Sequence, residues 1–509
     1  MRIIFICLLT VLSLHVSAGD YVDDINTVTT KNEAGHRVIY EMNVGSFTQA
    51  GTFAAAQEKL SGLKALGVDI IWLMPIFPRG SSKSPYAVMD YESVNTAYGT
   101  ASDLKNFVDA AHQNGMLVIL DWVPNHTAKE HPWYMSHPSW YSGAQSYSDV
   151  RDLKYGATAS EGNSEMIAEM NRIMKQWIDR CDIDGFRFDY VVNVRPSYWR
   201  DTNAELKSYA TEKGKSELIL LAEIDTNDNQ RWSNRTNNIG FTHDYAWWLQ
   251  ETVLENGYGK NYDVGTLKTN LQRFVEDSQA LGLSRTLYLT NHDQNWNDGG
   301  ATLTSMYGED RYLLTTLIFS LYGTPLIYNG QETGGNQKLD YFNDTKIDWT
   351  TKDDKMRNTI RTLAALKHVV PATDDHAVVN WVTLSPSNDN VIAYTRKSGD
   401  SEVLVMINLS SNAESATLTG LSSGGWSLWL DSETIAQGAT RSQYTLASTQ
   451  TFSLDAKGFR VYVKDVETGV KMIPLQKDLK GYTYSLSGRR VSPSRPGIYI
   501  QNGRKLVVK

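Results

Sequence analysis

From Val38 onward, short apolar runs alternate with longer segments whose apolar residues recur every three or four positions. The short runs are Val38 to Asn43, Ile70 to Met74, Leu117 to Asp121, Gly185 to Asp189, Leu218 to Glu223, a weaker one at Ile239 to Thr242, Thr286 to Thr290 and Pro325 to Tyr328; all read as buried strands. Between them, Thr52 to Leu66 places Leu60, Leu63 and Leu66 at helical spacing, with Gly67 behind them as a C-cap. Ser102 to Asn114 gathers Leu104, Phe107, Val108 and Ala111 on one face, and Glu165 to Arg180 does the same with Met166, Met170, Ile173 and Trp177. Strands alternating with helices predict a parallel sheet, and eight of them predict a closed (β/α)8 barrel over about residues 36–372.

One connection breaks the rhythm. After the third strand the chain runs from Trp122 to Asn163 through His, Pro, Trp, Tyr and Ser, and an excursion of that length reads as a short inserted domain, about 122–163. Beyond about Pro371 the runs shorten to Val391 to Thr395, Val403 to Asn408, Ser427 to Leu430 and Phe459 to Val463, separated by Gly, Ser and Asn. That grammar predicts a C-terminal antiparallel β-sandwich domain over 376–465. Residues 466–509 are basic on an acidic protein and read as a short tail or a small β module of two or three strands.

Composition changes this picture little. With 41% hydrophobic and 11% aromatic residues the chain is ordinary globular material, and its net charge of −8 lacks the basic excess of a nucleic-acid binder. The N-terminus adds more: Arg2, the apolar run Ile3 to Leu14 and the small residues around Val16-Ser17-Ala18 have the parts of a secretory signal peptide, residues 1–18. The run is too short to anchor in a bilayer, and no later stretch reads as a transmembrane segment. Export is the expectation. Loss of Cys7 with the signal leaves Cys181 alone, so the exported chain has no internal disulfide and depends on its core. The 14 Trp and 27 Tyr offer faces that stack on sugars, and equally serve as core residues.

The chemistry gathers at strand ends. The stretch Cys181 to Val191 closes a helix and opens a strand on which Arg187 and Asp189, two residues apart, point to the same side. The cation can hold the carboxylate ionised and fix its direction, as a nucleophile needs, or the two can form a structural pair. The third strand ends Asp121-Trp122-Val123-Pro124-Asn125-His126, the fifth Ala222-Glu223 and the seventh Asn291-His292-Asp293. In a barrel these ends converge on one rim, so Asp189, Glu223 and Asp293 face one cavity beside two histidines. Like charges at short range raise at least one pKa and make a proton donor near neutral pH. Glycoside hydrolysis asks for this arrangement: one carboxylate attacks the sugar and a second protonates the leaving oxygen.

These motifs, in this order, resemble the α-amylase family of glycoside hydrolases (family 13 type), as do Gly67-Val-Asp-Ile-Ile-Trp72-Leu-Met-Pro75 and Ser84-Pro85-Tyr86-Ala-Val-Met-Asp90-Tyr91. The resemblance spans roughly Val38 to Lys464. It implies Asp189 as nucleophile, Glu223 as general acid/base and Asp293 as the residue that binds ring hydroxyls and stabilises the transition state. It also implies substrate contacts from Arg187, which orients Asp189, from His126 and His292 to hydroxyls of one sugar, from Tyr86 on that sugar's face, and from Asp121. Retention of anomeric configuration goes with it, the two catalytic carboxyl groups standing about 5 to 5.5 Å apart.

Two departures stand out. Many family members follow the nucleophile with Lys-His three and four residues on, where this chain has Val192 and Asn193, which leaves a leaving-side sugar contact without its usual residues. Many also bind calcium beside the third-strand loop. Asn125 and Asp152 match two of those ligand positions, but a nearby family aspartate is Lys154 here, so a Ca2+ ion and a plain hydrogen-bonded pair both remain open. No organic cofactor is expected. Trp133, Tyr134, Trp140, Tyr141 and Trp296 read as sugar platforms or as loop packing. The tail resembles those of secreted Bacteroidetes proteins, implying a Gram-negative source and a periplasmic, cell-surface or extracellular location.

The function expected is an exported retaining hydrolase of α-1,4-glucosidic bonds in starch, maltodextrins or related α-glucans, with an α-glucan oligosaccharide or polysaccharide as its only implied partner. A neopullulanase or cyclomaltodextrinase, an α-glucosidase or a transglycosylase could be built on the same site. A catalytically silent glycan-binding protein would need a lost acid, base or nucleophile, and none is lost.

Overall fold

The structure, a computed structural model, describes residues 34–225, 239–281, 284–297, 301–437 and 442–464, and the backbone of four short strands beyond them. The signal segment read at residues 1–18 lies outside the described residues, as does much of the C-terminal tail.

Eight parallel strands close a barrel: β1 (Ile39–Met42), β2 (Ile70–Leu73), β3 (Leu117–Trp122), β4 (Gly185–Phe188), β5 (Ile219–Ala222), β6 (His243–Tyr245), β7 (Ser284–Leu287) and β8 (Thr324–Tyr328). Each pairs with the next, and β8 closes on β1 with Leu326 beside Ile39. β4 begins where backbones nearly touch. Gly185 has φ +153°, and a Cβ there would stand 1.9 Å from the Ile219 carbonyl oxygen of β5, so no larger residue fits.

Two strands differ from the expectation. The sixth lies at His243–Tyr245, just after the apolar run Ile239 to Thr242, and the seventh starts at Ser284 rather than Thr286. Both hide polar residues in the barrel: Arg285 Nε lies 2.6 Å from Asp244 Oδ1 and its Nη2 donates at 2.8 Å to Asp225 Oδ1, all three buried. Strands that bury an ion cluster lack the apolar run by which a strand is recognised.

The helical periodicity is largely realised, with caps that explain its limits. Thr52 to Leu66 is two helices, Phe53–Gln57 capped by Thr52 and Leu60–Leu66 closed by Gly67 at φ +101°. Ala101–Gln113 opens on a Thr100/Asp103 capping box, and Ser164–Cys181 opens on an Asn163 cap.

Between β3 and β4 the excursion forms an antiparallel pair, His126–Ala128 with Val150–Asp152, and a short helix, Pro132–Ser136. Its aromatics mostly pack: Trp140 and Tyr141 are buried, and Trp133 stacks on Tyr91 with centroids 5.6 Å apart. Tyr134 is exposed beneath the Arg151 guanidinium.

The C-terminal domain is antiparallel, a six-stranded sheet facing a three-stranded one, with Leu404, Met406, Trp426, Phe452 and Tyr462 in the core between them. The four apolar runs correspond to Val391–Ser398, Ser401–Asn408, Gly424–Asp431 and Phe459–Lys464. Strands such as Glu414–Thr419 and Gln443–Leu446 escaped the pattern because one face of each is polar and solvent-facing. Residues 466–509 form a separate unit whose strands Thr483–Ser485, Arg490–Val491, Gly497–Gln501 and Arg504–Val508 make a four-stranded sheet. Among the described residues, no helix is long and apolar enough to cross a membrane.

Candidate active site

The barrel brings the strand-end residues around one cation. Asp189 N–H donates to the Trp122 carbonyl at 2.9 Å and Glu223 N–H to the Phe188 carbonyl at 3.0 Å, so both acids extend the β3–β4–β5 ladders. Arg187, in register with Asp121 and Leu221, is fully buried. Its Nη1 donates to Asp121 Oδ1 at 3.1 Å and to Asp189 Oδ1 at 3.0 Å, its Nη2 lies 2.9 Å from Glu223 Oε1, and its Nε donates to Tyr245 Oη at 3.2 Å. One guanidinium thus meets carboxylates from three neighbouring strands. Its plane also lies 5.0 Å from the Trp72 ring, which keeps water from its flank.

Asp121 differs from its expected role as a substrate contact. Its side chain is wholly buried, and its oxygens accept from Arg187, from Trp72 Nε1 at 3.1 Å and from Tyr86 Oη at 3.3 Å. Held by these donors inside the barrel, it forms the floor of the site and holds other residues in place.

Glu223 has the environment of an acid. Tyr190, held in the left-handed region at φ +50°, turns its backbone N–H onto Glu223 Oε2 at 2.6 Å. Burial pushes the Glu223 carboxyl up to about 8; Arg187 pulls against this, and the charges of Asp189 and Asp293 reinforce it. If the proton on Glu223 is the one delivered in catalysis, the alkaline limb of kcat/KM on a soluble glucan should set in at about pH 8 and fall about tenfold per unit above it. An alkaline limb that sets in near pH 5 would remove Glu223 from that role.

The remaining expected residues surround these acids. His126 is buried beside them; its Nδ1 accepts from Asn125 Nδ2 at 3.1 Å, which leaves the proton on Nε2, a donor with no side-chain partner among the described residues. Tyr86 stacks on His292 with centroids 5.3 Å apart, its Oη 2.8 Å from His292 Nε2. Asp293, partly exposed, has Oδ2 3.5 Å from the same Nε2.

Asn125 and Asp152 do come together, through hydrogen bonds. Asp152 Oδ1 accepts from Ser146 N at 2.9 Å and Oδ2 from Ser146 Oγ at 2.7 Å, while Asn125 Oδ1 accepts from Asn193 Nδ2 at 3.2 Å. A hard divalent ion needs six or more oxygens free to face it. Here the candidate oxygens already have donors, and among the described residues no group of three or more His, Cys, Asp or Glu could hold a metal. The side chains of Asn125 and Asp152 are committed to hydrogen bonds with Asn193 and Ser146 and do not by themselves make a calcium site.

Several site residues were not anticipated. Glu41 interrupts the apolar run of β1 and lies buried against His292, and a charge in a buried strand was a signal that could have found it. Tyr245 was lost with the misplaced sixth strand. Tyr147, 54% exposed, has its ring 6.1 Å from Tyr190 and 6.0 Å from His126, which makes it the open aromatic surface of the insertion nearest the acids. Trp296 packs on Tyr341 and Phe342 instead.

Comparison with known proteins adds an independent line. A family model described as alpha amylase, catalytic domain, matches residues 29–154 and 159–377, and one described as alpha amylase, C-terminal all-beta domain, matches residues 381–465. The chain is 25% identical over 410 residues to alpha-amylase MalA of Haloarcula japonica, covering 76% of this chain and 57% of that protein. It is 29% identical over 352 residues to malto-oligosyltrehalose trehalohydrolase of Saccharolobus solfataricus, covering 63% of this chain and 61% of that one. It therefore spans less than two thirds of either relative. Among solved structures, a maltogenic alpha-amylase, AmyB from Thermotoga neapolitana, superposes with a TM-score of 0.69 at 22% identity over 85% of this chain and 99% of that chain, which shows a shared fold.

Proposed function

Because the chain belongs to the α-amylase family, which its barrel and its C-terminal domain both match, we propose that it is an exported retaining hydrolase of α-1,4-glucosidic bonds in starch, maltodextrins or related α-glucans. The observation that carries this is the shared guanidinium: Asp189 and Glu223 sit on adjacent nitrogens of Arg187, with Asp293 near enough for its charge to act on Glu223. Two carboxyl groups gathered so closely suit double displacement.

In the first step Asp189 attacks the anomeric carbon while Glu223 gives its proton to the glycosidic oxygen; the C–O bond to the leaving sugar breaks and a glycosyl–enzyme ester forms. In the second, Glu223 takes a proton from water, whose oxygen displaces Asp189. Asp293 and the Nε2–H of His126 bind hydroxyls of the reacting sugar, and the ring of Tyr86 stacks on it. On the leaving side, with Val192 and Asn193 in place of a Lys-His pair, Tyr147 next to Tyr190 supplies the stacking surface.

Product analysis after incubation with soluble starch, pullulan and maltoheptaose tests the assignment. Mixed maltooligosaccharides from starch, unchanged by a calcium chelator, are expected. Panose or maltose from pullulan would move it to a neopullulanase or maltogenic enzyme, and glucose alone to an exo-acting α-glucosidase. No product from any of the three would favour a glycan-binding protein.

A further inference from the structure

Glu41 has no part in the reaction described above, yet it is among the most deeply placed charges in the barrel. It stands on β1 in register with Trp72 of β2 and Tyr328 of β8, its side chain wholly buried. Its Oε1 lies 2.5 Å from His292 Nδ1, and its Oε2 has no hydrogen-bond partner among the described residues. A buried carboxylate is costly unless a cation faces it, and the group facing this one is the imidazole that reaches the substrate cavity.

We propose that Glu41 is a positioning residue that holds His292 as an imidazolium, donating from both ring nitrogens, and thereby fixes the direction of the Tyr86 hydroxyl; this rests on the hydrolase assignment above. With Nδ1–H on Glu41 and Nε2–H on Tyr86 Oη at 2.8 Å, the Tyr86 O–H is free to donate to Asp121 Oδ2 at 3.3 Å. In a neutral ring Nε2 would be an acceptor. Tyr86 would then have to turn its proton to His292, and Asp121 would lose a donor. The ring charge therefore decides how the stacking tyrosine is tied to the floor of the site.

The charged and titratable groups facing His292 come from every side: Glu41 from β1, Asp293 from its own helix, Arg187 from β4, Asp121 from β3 through Tyr86, and the Tyr341 ring at 5.8 Å. Trp72, edge-on at 5.9 Å, adds no charge. Burial disfavours the imidazolium, but Asp293 and Glu41 outweigh it against the opposing pull of Arg187 and lift His292 to about 9.

The test is a nitrogen-15 NMR titration of the imidazoles of the full-length protein from about pH 5 to 10. The wild-type protein and Glu41→Gln would be compared, with His292 assigned from the signal lost in His292→Gln. Glutamine keeps the acceptor oxygen and the shape but not the charge. The expected result is a His292 ring protonated on both nitrogens at neutral pH in the wild type, and an acid constant at least about tenfold larger in Glu41→Gln. A neutral His292 at pH 7 in the wild type would overturn the proposal without any variant, as would identical titrations in the two proteins. If Glu41 only filled space, Glu41→Gln would change the melting temperature and leave the ring's acid constant alone. A wild type with the expected titration but no activity on any α-glucan would sink the hydrolase assignment instead.

Discussion

Asp189→Asn should abolish hydrolysis, lowering kcat on maltoheptaose by on the order of 10^4-fold or more while leaving the fold intact. Asparagine keeps the size of the side chain and the oxygen that meets Arg187 Nη1, so the geometry around the guanidinium has no reason to change. What it lacks is the charge and the second oxygen of a carboxylate, without which no glycosyl ester forms. The substitution has a second consequence. Burial is the main force raising Glu223, and the charge of Asp189 adds to it, so removing that charge should bring the Glu223 carboxyl down from about 8. Any residual activity should lose its proton donor at lower pH than the wild type. Rates measured across pH, with equilibrium unfolding as a control, check both parts; near-normal turnover in Asp189→Asn would exclude it as nucleophile.

Arg187→Met is expected to cost about 3 to 5 kcal/mol of stability as well as activity, because it leaves buried carboxylates without their cation. Burial raises both Asp121 and Glu223, and in each case Arg187 is the first influence lowering them. Without it both should rise further. A carboxyl that binds its proton more tightly in the folded chain than in the unfolded one contributes stability that is complete below its unfolded pKa, about 4, and lost as pH climbs through the folded one. The deficit of Arg187→Met should therefore be level below about pH 7 and grow as pH rises through about 7 and about 8, where the wild-type carboxyls ionise and those of the variant keep their protons. Urea unfolding at about pH 6 and about pH 9 measures it. Arg187→Lys should recover little, since one ammonium cannot address three carboxylates and Tyr245 in separate directions.

Much of this site is legible in the sequence because strand ends carry their chemistry openly. Asp121, Arg187, Glu223 and the Asn291-His292-Asp293 stretch each sit where an apolar run stops, and the α/β alternation alone sends those stops to one rim. What escaped did so for physical reasons. β6 and β7 bury Asp244 and Arg285 as a pair, so their polarity argued against burial although they are as deep as any leucine. Pairing across strands is invisible in a linear pattern. Glu41 failed to stand out because its partner, His292, lies six barrel strands further along the chain. The aromatics of the insertion could not be sorted, because whether a tryptophan packs or faces solvent depends on what lies opposite. Trp133 has Tyr91 opposite it, while Tyr147 has open space beside the acids.

The closing seam of the barrel, where Ile39 meets Leu326, has a bearing on how such a site can be assembled at all. Asp121, Asp189 and Glu223 come from the first five strands, Asp293 and His292 from beyond the seventh, and the carboxylate under His292 from the very first. The constellation belongs to the ring, so no contiguous half of the sequence carries it. A nascent chain emerging from its start holds Glu41 ready long before its histidine exists, and the site comes into being only when the last strand docks against the first. The full set of acids and histidine therefore exists only in the closed ring, and a chain that lacks its later strands has no site with which to act.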